Sequence, residues 1–426
     1  MGRAMTANHY KVVLFHIGAW HRYEVPRAFH EAGVLHVFIT TAAYQPHRGP
    51  LFRILGQAPL ARGFLSRRVL PDVPPGKVHA TWGPDILATV IHRAISHSRA
   101  ASINREQTHW LGRKAAAIAL GRRLPLVCYY YSAYTPFRIL EGSGIPRIIM
   151  QCHPHPASCR RILSEEIRLN PEWKENLLAE HEFLWGNEYY KELCYQADRP
   201  EGAIVASDFT RRTMIENGFP PERIRVAPYG AHPLPPWAEA LNPRKEGFKV
   251  LFIGNLRQRK GISYLIEACR GLNAPGLKLI LAGRCAAPFE VKNPPDWLDV
   301  RKDVSSAELW NLYKSCDVFA VPSLIEGFGQ VYWEAMAAGL PIIATENTGA
   351  PDIIQDGREG FIIGIRDVEA LRERLQCLYD EPQLRLQMGN AARELAMRSS
   401  WDVYRKVLGE KLIDLLDHLE WEGKDQ

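Results

Sequence analysis

Two glutamates, Glu326 and Glu334, stand eight positions apart in the run Ser323-Leu-Ile-Glu-Gly-Phe-Gly-Gln-Val-Tyr-Trp-Glu334, which continues Ala-Met-Ala-Ala-Gly-Leu-Pro341. An ionised carboxylate offers two acceptor oxygens, so a pair around a glycine turn suits a ligand rich in hydroxyls. The apolar run Asp317-Val-Phe-Ala-Val-Pro322 predicts a strand entering the turn, and a short helix over 330–338 leaves it. Gly339 and Pro341 stop that helix, since glycine suits a left-handed cap and proline cannot continue a helix. Strand, glycine turn and helix N-terminus together leave unpaired N–H groups that favour an anion. Phosphates and hydroxyls in one ligand describe a nucleotide sugar. An acid-enriched helix start, complementing its dipole, accounts for one glutamate but not for the turn, the spacing and the strand together.

The elements that must position these groups come in two series. The first opens with strands at 11–18 and 34–40 around a helix near 22–32, then strands at 126–130 and 147–152. An acid-rich helical stretch covers 158–196, followed by a strand at 202–207, a helix at 208–217 and a strand at 224–228. The second series alternates strands at 249–254, 277–282, 317–322, 341–345 and 360–364 with helices at 262–272, 305–315, 330–338 and 367–379. Helices near 383–397 and 401–419 finish the chain. Short unbroken apolar runs alternating with helices indicate parallel strands buried on both faces. The expected fold is α/β, with two Rossmann-like domains facing each other across a cleft. The boundaries fall at 1–230 for the first domain, 231–248 for a proline-dense linker and 249–399 for the second domain. Residues 400–426 form a last helix whose apolar Val403, Val407 and Leu408 need a packing partner, on the first domain or on its own.

Composition sets limits. A chain of 426 residues exceeds one ordinary core and fits two domains. With 46% hydrophobic and 23% charged residues it is globular, and no apolar run approaches the roughly 20 residues of a membrane span. Met1 to Lys11 lacks the pattern of a secretory signal, and the eight cysteines form no C-x-x-C pair, so the expected location is the cytoplasm. The net charge of +6 conceals an asymmetry: residues 1–150 hold 19 Lys+Arg against 6 Asp+Glu, whereas residues 251–426 hold 21 against 26. A basic first half suggests an anionic partner, such as a phosphorylated lipid or a membrane surface touched peripherally. The segment 51–69, which mixes bulky apolar residues with arginines, is either interfacial or a packed loop and helix with solvated arginines. Nucleic acid is disfavoured, because no binding motif accompanies the basic residues.

The run Phe252-Ile-Gly-Asn-Leu-Arg-Gln-Arg-Lys-Gly261, the Glu326–Glu334 segment and the stretch from Ala344 to Gly360 resemble glycosyltransferase family 4. The stretch from Ala206 to Gly230 resembles that family's last unit of the N-terminal domain. The resemblance covers roughly 200–420 and implies the GT-B fold and retaining sugar transfer from a nucleotide-diphosphate sugar, without a cofactor or metal. It implies that Glu326 contacts the donor sugar, that Glu334 accepts the ribose hydroxyls, and that the Gly327, Phe328, Gly329, Gln330 and Val331 turn approaches the donor. Arg259 and Lys260 fall where the family grips the diphosphate. Asn255 departs from the pattern, which often has arginine there; either Arg257 substitutes or the grip is weaker.

In the first domain the resemblance points to His153, in Gln151-Cys-His-Pro-His-Pro156, as the histidine at a cleft-facing strand end, with His155 as the alternate. The loop Phe15-His-Ile-Gly-Ala-Trp-His-Arg22 has Gly18 where relatives have paired glycines, so it suits acceptor contact as well as phosphate contact. The expected activity is transfer of a hexose to a saccharide or lipid-linked saccharide in cell-envelope or exopolysaccharide assembly. Other GT-B chemistry (epimerase or phosphorylase) and a silent nucleotide-sugar-binding subunit are the alternatives.

Overall fold

The computed structural model describes residues 10–41, 43–45, 65, 68–70, 72–81, 97–184, 186–232, 247–285 and 288–421. Among them are two parallel sheets. The first holds β1 (Val12–Phe15), β2 (Leu35–Thr40), β3 (Val78–Ala80), β4 (Leu126–Tyr129), β5 (Arg147–Gln151), β6 (Gly202–Val205) and β7 (Ile224–Val226), in the order β3-β2-β1-β4-β5-β6-β7. The second holds β8 (Phe248–Ile253), β9 (Leu277–Gly283), β10 (Leu298–Lys302), β11 (Val318–Val321), β12 (Ile342–Thr345) and β13 (Gly360–Ile363), in the order β10-β9-β8-β11-β12-β13. Both are Rossmann-like: parallel neighbours demand helical crossovers, and those helices bury both faces of the sheet. Every residue of β1, β4, β5, β6, β11 and β12 is buried, which is why these strands are mostly apolar, with polar Arg147, Gln151 and Thr345 only at strand ends.

Two strands lie outside the sequence expectation. Both β3 and β10 are edge strands; β3 has three residues with only Val78 buried, and Leu298-Asp-Val-Arg-Lys302 is half-buried to exposed. An edge strand with a solvated face carries little apolar signal. The helical stretch over 158–196 is also broken, into Pro156–Leu169, Lys174–Leu178, His181–Leu184 and Gly186–Asp198. Pro171 opens a 3-10 turn after the first piece, and Gly186 adopts φ +77 at the head of the last. Of the segments 51–69 and 231–248 only Leu65, Arg68, Val69, Ala231, His232, Gly247 and Phe248 are described, so the interfacial reading of 51–69 falls outside the described residues. No helix among the described residues is long and apolar enough to cross a membrane.

The chain leaves the first sheet at Ala231 and returns at Ser400, and these crossings touch: the Ala231 N–H donates to the Ser399 carbonyl at 2.6 Å. Gly230 makes room for this, since a Cβ there would stand 2.7 Å from the Ser400 oxygen. The returning helix, Trp401–His418, is capped by the Ser400 hydroxyl and lies on the first domain. Arg405 pairs with Glu24 at 2.6 Å and with Glu31 at 2.8 Å, and Leu408, Leu412, Leu415 and Leu416 are fully buried. Val403 is exposed, contrary to its place in the expected apolar face, because the buried stripe runs through Trp401, Tyr404 and Leu408.

Candidate active site

A cleft of about 700 Å³ lies where the C-terminal ends of the two sheets meet. Trp20 and His21 reach it from the loop after β1, and Cys152 and His153 from the loop after β5. The opposite wall comes from the loops after β8, β9 and β10 and from the turn after β11, which contributes Glu326, Phe328 and Gln330. Strand ends are the expected ligand position in parallel α/β sheets.

The turn is held by its neighbours. The Glu326 N–H donates to the Asn347 carbonyl at 2.9 Å, and the Thr345 hydroxyl donates to the Ser323 carbonyl at 2.5 Å. Its glycines have separate duties. Gly329 adopts φ +95, and a Cβ there would strike the Tyr332 ring at 2.4 Å. Gly327 meets the other domain: a Cβ would stand 1.9 Å from the Cys152 carbonyl oxygen, while the Gly327 carbonyl accepts from the Ser207 hydroxyl at 2.6 Å. Its open side therefore faces the Cys152 backbone rather than a donor, which differs from the expectation for Gly327, whereas Gly329 lines the cleft. The amide group of Gln330 is buried with neither its nitrogen nor its oxygen bonded, and it lines the cleft. Phe328 meets the Tyr229 ring edge-on at 5.3 Å.

Glu326 is ion-paired with Lys260, and both side chains are mostly buried. Burial pushes the Glu326 carboxyl up, but Lys260, Arg259 and His153 outweigh it and hold the group at about 2. Glu334 differs. Burial raises its pKa, opposed by the Tyr313 hydroxyl, which donates at 2.9 Å. It lies four residues after Gln330 on the same helix and is not among the residues lining the cleft.

The basic residues diverge. Gln258–Lys260 is a 3-10 turn, closed by Gly261 at φ +71, and successive side chains in such a turn point about 120° apart. Lys260 therefore enters the cleft while Arg259 turns to the domain interface, donating to the Ile325 carbonyl at 3.0 Å and approaching Glu180 at 3.5 Å. Burial would lower the Arg259 pKa, yet Glu180 and Glu182 raise it well above the ordinary value. Arg257 also faces the interface, bonded to the Ala179 carbonyl at 2.9 Å and to Glu180 at 3.1 Å. Neither arginine lines the cleft, in contrast to the expectation that set Arg259, or Arg257 in place of Asn255, against a diphosphate.

A cation absent from the sequence expectation takes the open position. Arg284 follows β9 as Asn255 follows β8, and the two strands are paired with Ile253 opposite Ala282. The loops touch, since the Leu256 N–H donates to the Arg284 carbonyl at 2.8 Å. Arg284 and Asn255 are both exposed and both line the cleft, and Arg284 makes no ion pair with a described residue. The signal was present in Leu277-Lys-Leu-Ile-Leu-Ala-Gly-Arg284, a strand ending in glycine and arginine beside one ending in glycine and asparagine.

In the first domain His153 faces the cleft with its Nδ1 buried and unbonded. Burial, then Arg259, lowers its pKa to about 3, so the ring is neutral. His155 instead caps the helix Pro156–Leu169: its Nδ1 accepts from the Ala157 N–H at 3.2 Å and its Nε2 meets Asp198 at 2.7 Å. Gly18 stands behind Trp20 with its N–H given to the Thr41 hydroxyl at 3.0 Å, outside the cleft lining. His21, Arg22 and Tyr23 all take left-handed φ values of 45°, 52° and 65°, a strained run for side-chain-bearing residues. That run carries the His21 ring to 4.1 Å from Tyr229 and 5.5 Å from Trp401.

Comparisons with known proteins agree with this geometry. Residues 235–395 match the family Glycosyl transferases group 1. The putative glycosyltransferase EpsD of Bacillus subtilis is 33% identical over 163 residues, covering 37% of this chain and 43% of that protein. The D-inositol 3-phosphate glycosyltransferase of Corynebacterium glutamicum is 32% identical over 166 residues, covering 36% and 40%. The chain thus spans less than half the length of these curated relatives. Among solved structures, sucrose-phosphate synthase from Thermosynechococcus elongatus superposes with TM-score 0.59 at 17% identity, covering 96% of this chain and 100% of that one. Anabaena Alr3699/HepE in complex with UDP-glucose gives TM-score 0.57 at 16% identity, covering 95% and 99%. At such identities the likeness establishes the fold, which is GT-B, with two Rossmann-like domains and a last helix returning to the first.

Proposed function

We propose that this chain, whose residues 235–395 match the family Glycosyl transferases group 1, is a retaining glycosyltransferase that uses a nucleotide-diphosphate hexose. The observation that carries the reading is the Glu326–Lys260 pair, buried in the cleft and facing neutral His153 of the other domain. An ionised Glu326 accepts hydroxyls of the donor sugar, and His153 offers an unbonded nitrogen to another. As the sugar leaves the diphosphate, negative charge grows on the phosphate oxygens, and Lys260, in the 3-10 turn beyond β8, and Arg284, just after β9, line the cleft to receive it. The unbonded amide of Gln330 completes the donor contacts, and Glu334 accepts the ribose hydroxyls once Tyr313 releases it.

A uridine diphosphate sugar is the favoured donor, on the grounds that a solved protein of the same fold is described with UDP-glucose. A polysaccharide role is supported by the names of EpsD and of the putative colanic acid biosynthesis glycosyltransferase WcaL of Salmonella typhimurium, which is 27% identical over 200 residues. The test is a panel of nucleotide sugars with the purified chain, followed by nuclear magnetic resonance. Slow hydrolysis of one donor, releasing sugar with the donor's anomeric configuration, is expected; a panel with neither hydrolysis nor nucleotide binding would sink the proposal.

A further inference from the structure

A second cavity, of about 460 Å³, opens in the first domain beside the cleft. The loop after β4, the helix Tyr134–Leu140, the helix His97–Arg122 and the helix Gly186–Asp198 enclose it. Trp20 and His153 line both spaces, so the two are contiguous at those side chains. A volume of this size suits one small organic ligand.

The lining has a definite chemistry. Trp20, Tyr131, Tyr134 and Tyr189 present aromatic surface. Tyr131 is held at φ +74, which sets its ring 5.6 Å from His153 and 5.1 Å from His181. Thr108, Ser132, Thr135 and Gln196 add hydroxyl and amide groups to the lining, of which Thr108 already donates to the Asn104 carbonyl, Thr135 meets His109 and Gln196 is bonded to Ala133 and Glu192. The hydroxyls of Tyr131, Ser132 and Tyr134 bond to no described residue. The charges cancel: Arg105 and Glu192 are paired at 2.5 Å, and burial lowers the pKa of His109, His153 and His181, leaving the rings neutral. An anionic group entering here would lose water without meeting a free cation, which is unfavourable. A sugar ring suits the lining on both counts, its C–H faces against the aromatic rings and its hydroxyls against the polar groups.

We propose that this cavity is the acceptor site and that it takes an uncharged sugar ring, presenting one hydroxyl past His153 and Trp20 toward the donor. The inference rests on the glycosyltransferase reading above and departs from the anionic partner suggested by the basic first half. In transfer, the acceptor oxygen bonds to the donor's anomeric carbon and the bond from that carbon to the diphosphate breaks. The bonding pair stays on the departing phosphate, which also takes the hydroxyl proton.

Saturation-transfer difference spectra of the purified full chain test this directly. The neutral probes are methyl β-glucopyranoside, methyl β-galactopyranoside and the methyl glycoside of N-acetylglucosamine; glucose 6-phosphate and glucuronic acid are the charged ones. At least one neutral glycoside is expected to show contact, and the charged probes none. Asn104→Trp, at an exposed helix position on the cavity wall, should obstruct the ring's entry, and Tyr134→Ala should remove one aromatic face. Each is expected to weaken glycoside binding about fivefold, the effect of a single aromatic pair. Stronger contact by the charged probes, contact that survives both variants, or no glycoside contact would overturn the proposal. UDP titration of the same samples separates the two readings. Unchanged UDP affinity in the variants shows an intact fold, whereas glycoside contact without UDP binding supports the sugar cavity and overturns the nucleotide-sugar transferase.

Discussion

Gly327 lies so close to Cys152 that a methyl group on it would stand 1.9 Å from the Cys152 carbonyl oxygen. The two residues belong to different domains, and Ser207 of the first domain donates to the Gly327 carbonyl at 2.6 Å. The domains therefore meet backbone to backbone beside Glu326 and His153. Gly327→Ala should hold them apart, because neither backbone can yield. Transfer is expected to fall about 100-fold, the loss that follows a misplacement of roughly 1 Å at a reacting centre. UDP affinity should change little, since the contacts assigned to the nucleotide, Lys260, Arg284, Gln330 and Glu334, all lie on the second domain. Wild-type turnover in this variant would show that the contact does not govern transfer.

The Glu326–Lys260 pair makes a prediction in stability as well as activity. Lys260→Met leaves a buried carboxylate without its partner and should cost on the order of 3 kcal/mol, read as a lower denaturant midpoint. Glu326→Ala should abolish transfer. The double variant Glu326→Leu/Lys260→Met should regain much of the stability while staying inactive. A double variant no more stable than Lys260→Met would remove the ion pair as the cause.

Arg284→Gln should weaken UDP binding about tenfold and leave uridine binding unchanged, because the guanidinium is assigned to phosphate rather than to base. Asn255→Arg in the same background should restore UDP affinity, as the two positions stand on adjacent paired strands. Equal loss for UDP and uridine, measured by calorimetry, would contradict that assignment.

Glu334→Gln should raise the donor KM several-fold with little change in kcat, as expected of a group that holds the ribose in ground and transition states alike. The raised carboxyl pKa adds a check: burial favours protonation, so donor affinity should strengthen as pH rises and Glu334 ionises. An unchanged KM would place the ribose elsewhere.

Four histidines set the acid limit of stability. Burial lowers His16 and His232 to about 4 and His21 and His153 to about 3, from an ordinary 6.5. Below pH 6.5 the unfolded chain binds protons that the folded chain refuses, so their contribution is complete above 6.5 and is lost as pH falls toward 3 to 4. Asp352, between 3.8 and about 6, and Glu334, whose carboxyl burial also raises, oppose this because the folded chain binds their protons better, but they are two groups against four. The thermal midpoint should therefore drop steadily from pH 6.5 to 4.5, and a flat profile would contradict the burial of these rings.

The sheets were legible because their buried strands are unbroken apolar runs, as in Val318-Phe-Ala-Val321. The edge strands β3 and β10 were not, since half-solvated residues carry no such run. At the site, the family resemblance pointed to Glu326 and Lys260, and they meet as a pair. Arg259 is adjacent to Lys260 in sequence yet faces Glu180, because side-chain direction in a 3-10 turn depends on geometry that spacing does not encode. Arg284 was missed for the converse reason: it is 29 residues from Asn255 in sequence, and only the pairing of β8 with β9 makes them neighbours. His153 was the better match to the strand end and His155 the alternate, and the helix start at Pro156 separates them by recruiting His155 as a cap.

The contact between Ala231 and Ser400 has a mechanical consequence. Two separate tethers would let the halves of the molecule slide, tilt and twist independently. Stitched together by the Ala231–Ser399 hydrogen bond, with Gly230 admitting no side chain between them, the tethers act as one pivot pin. A bulky residue at 230 would push the two crossings apart and leave the halves joined at two points instead of one.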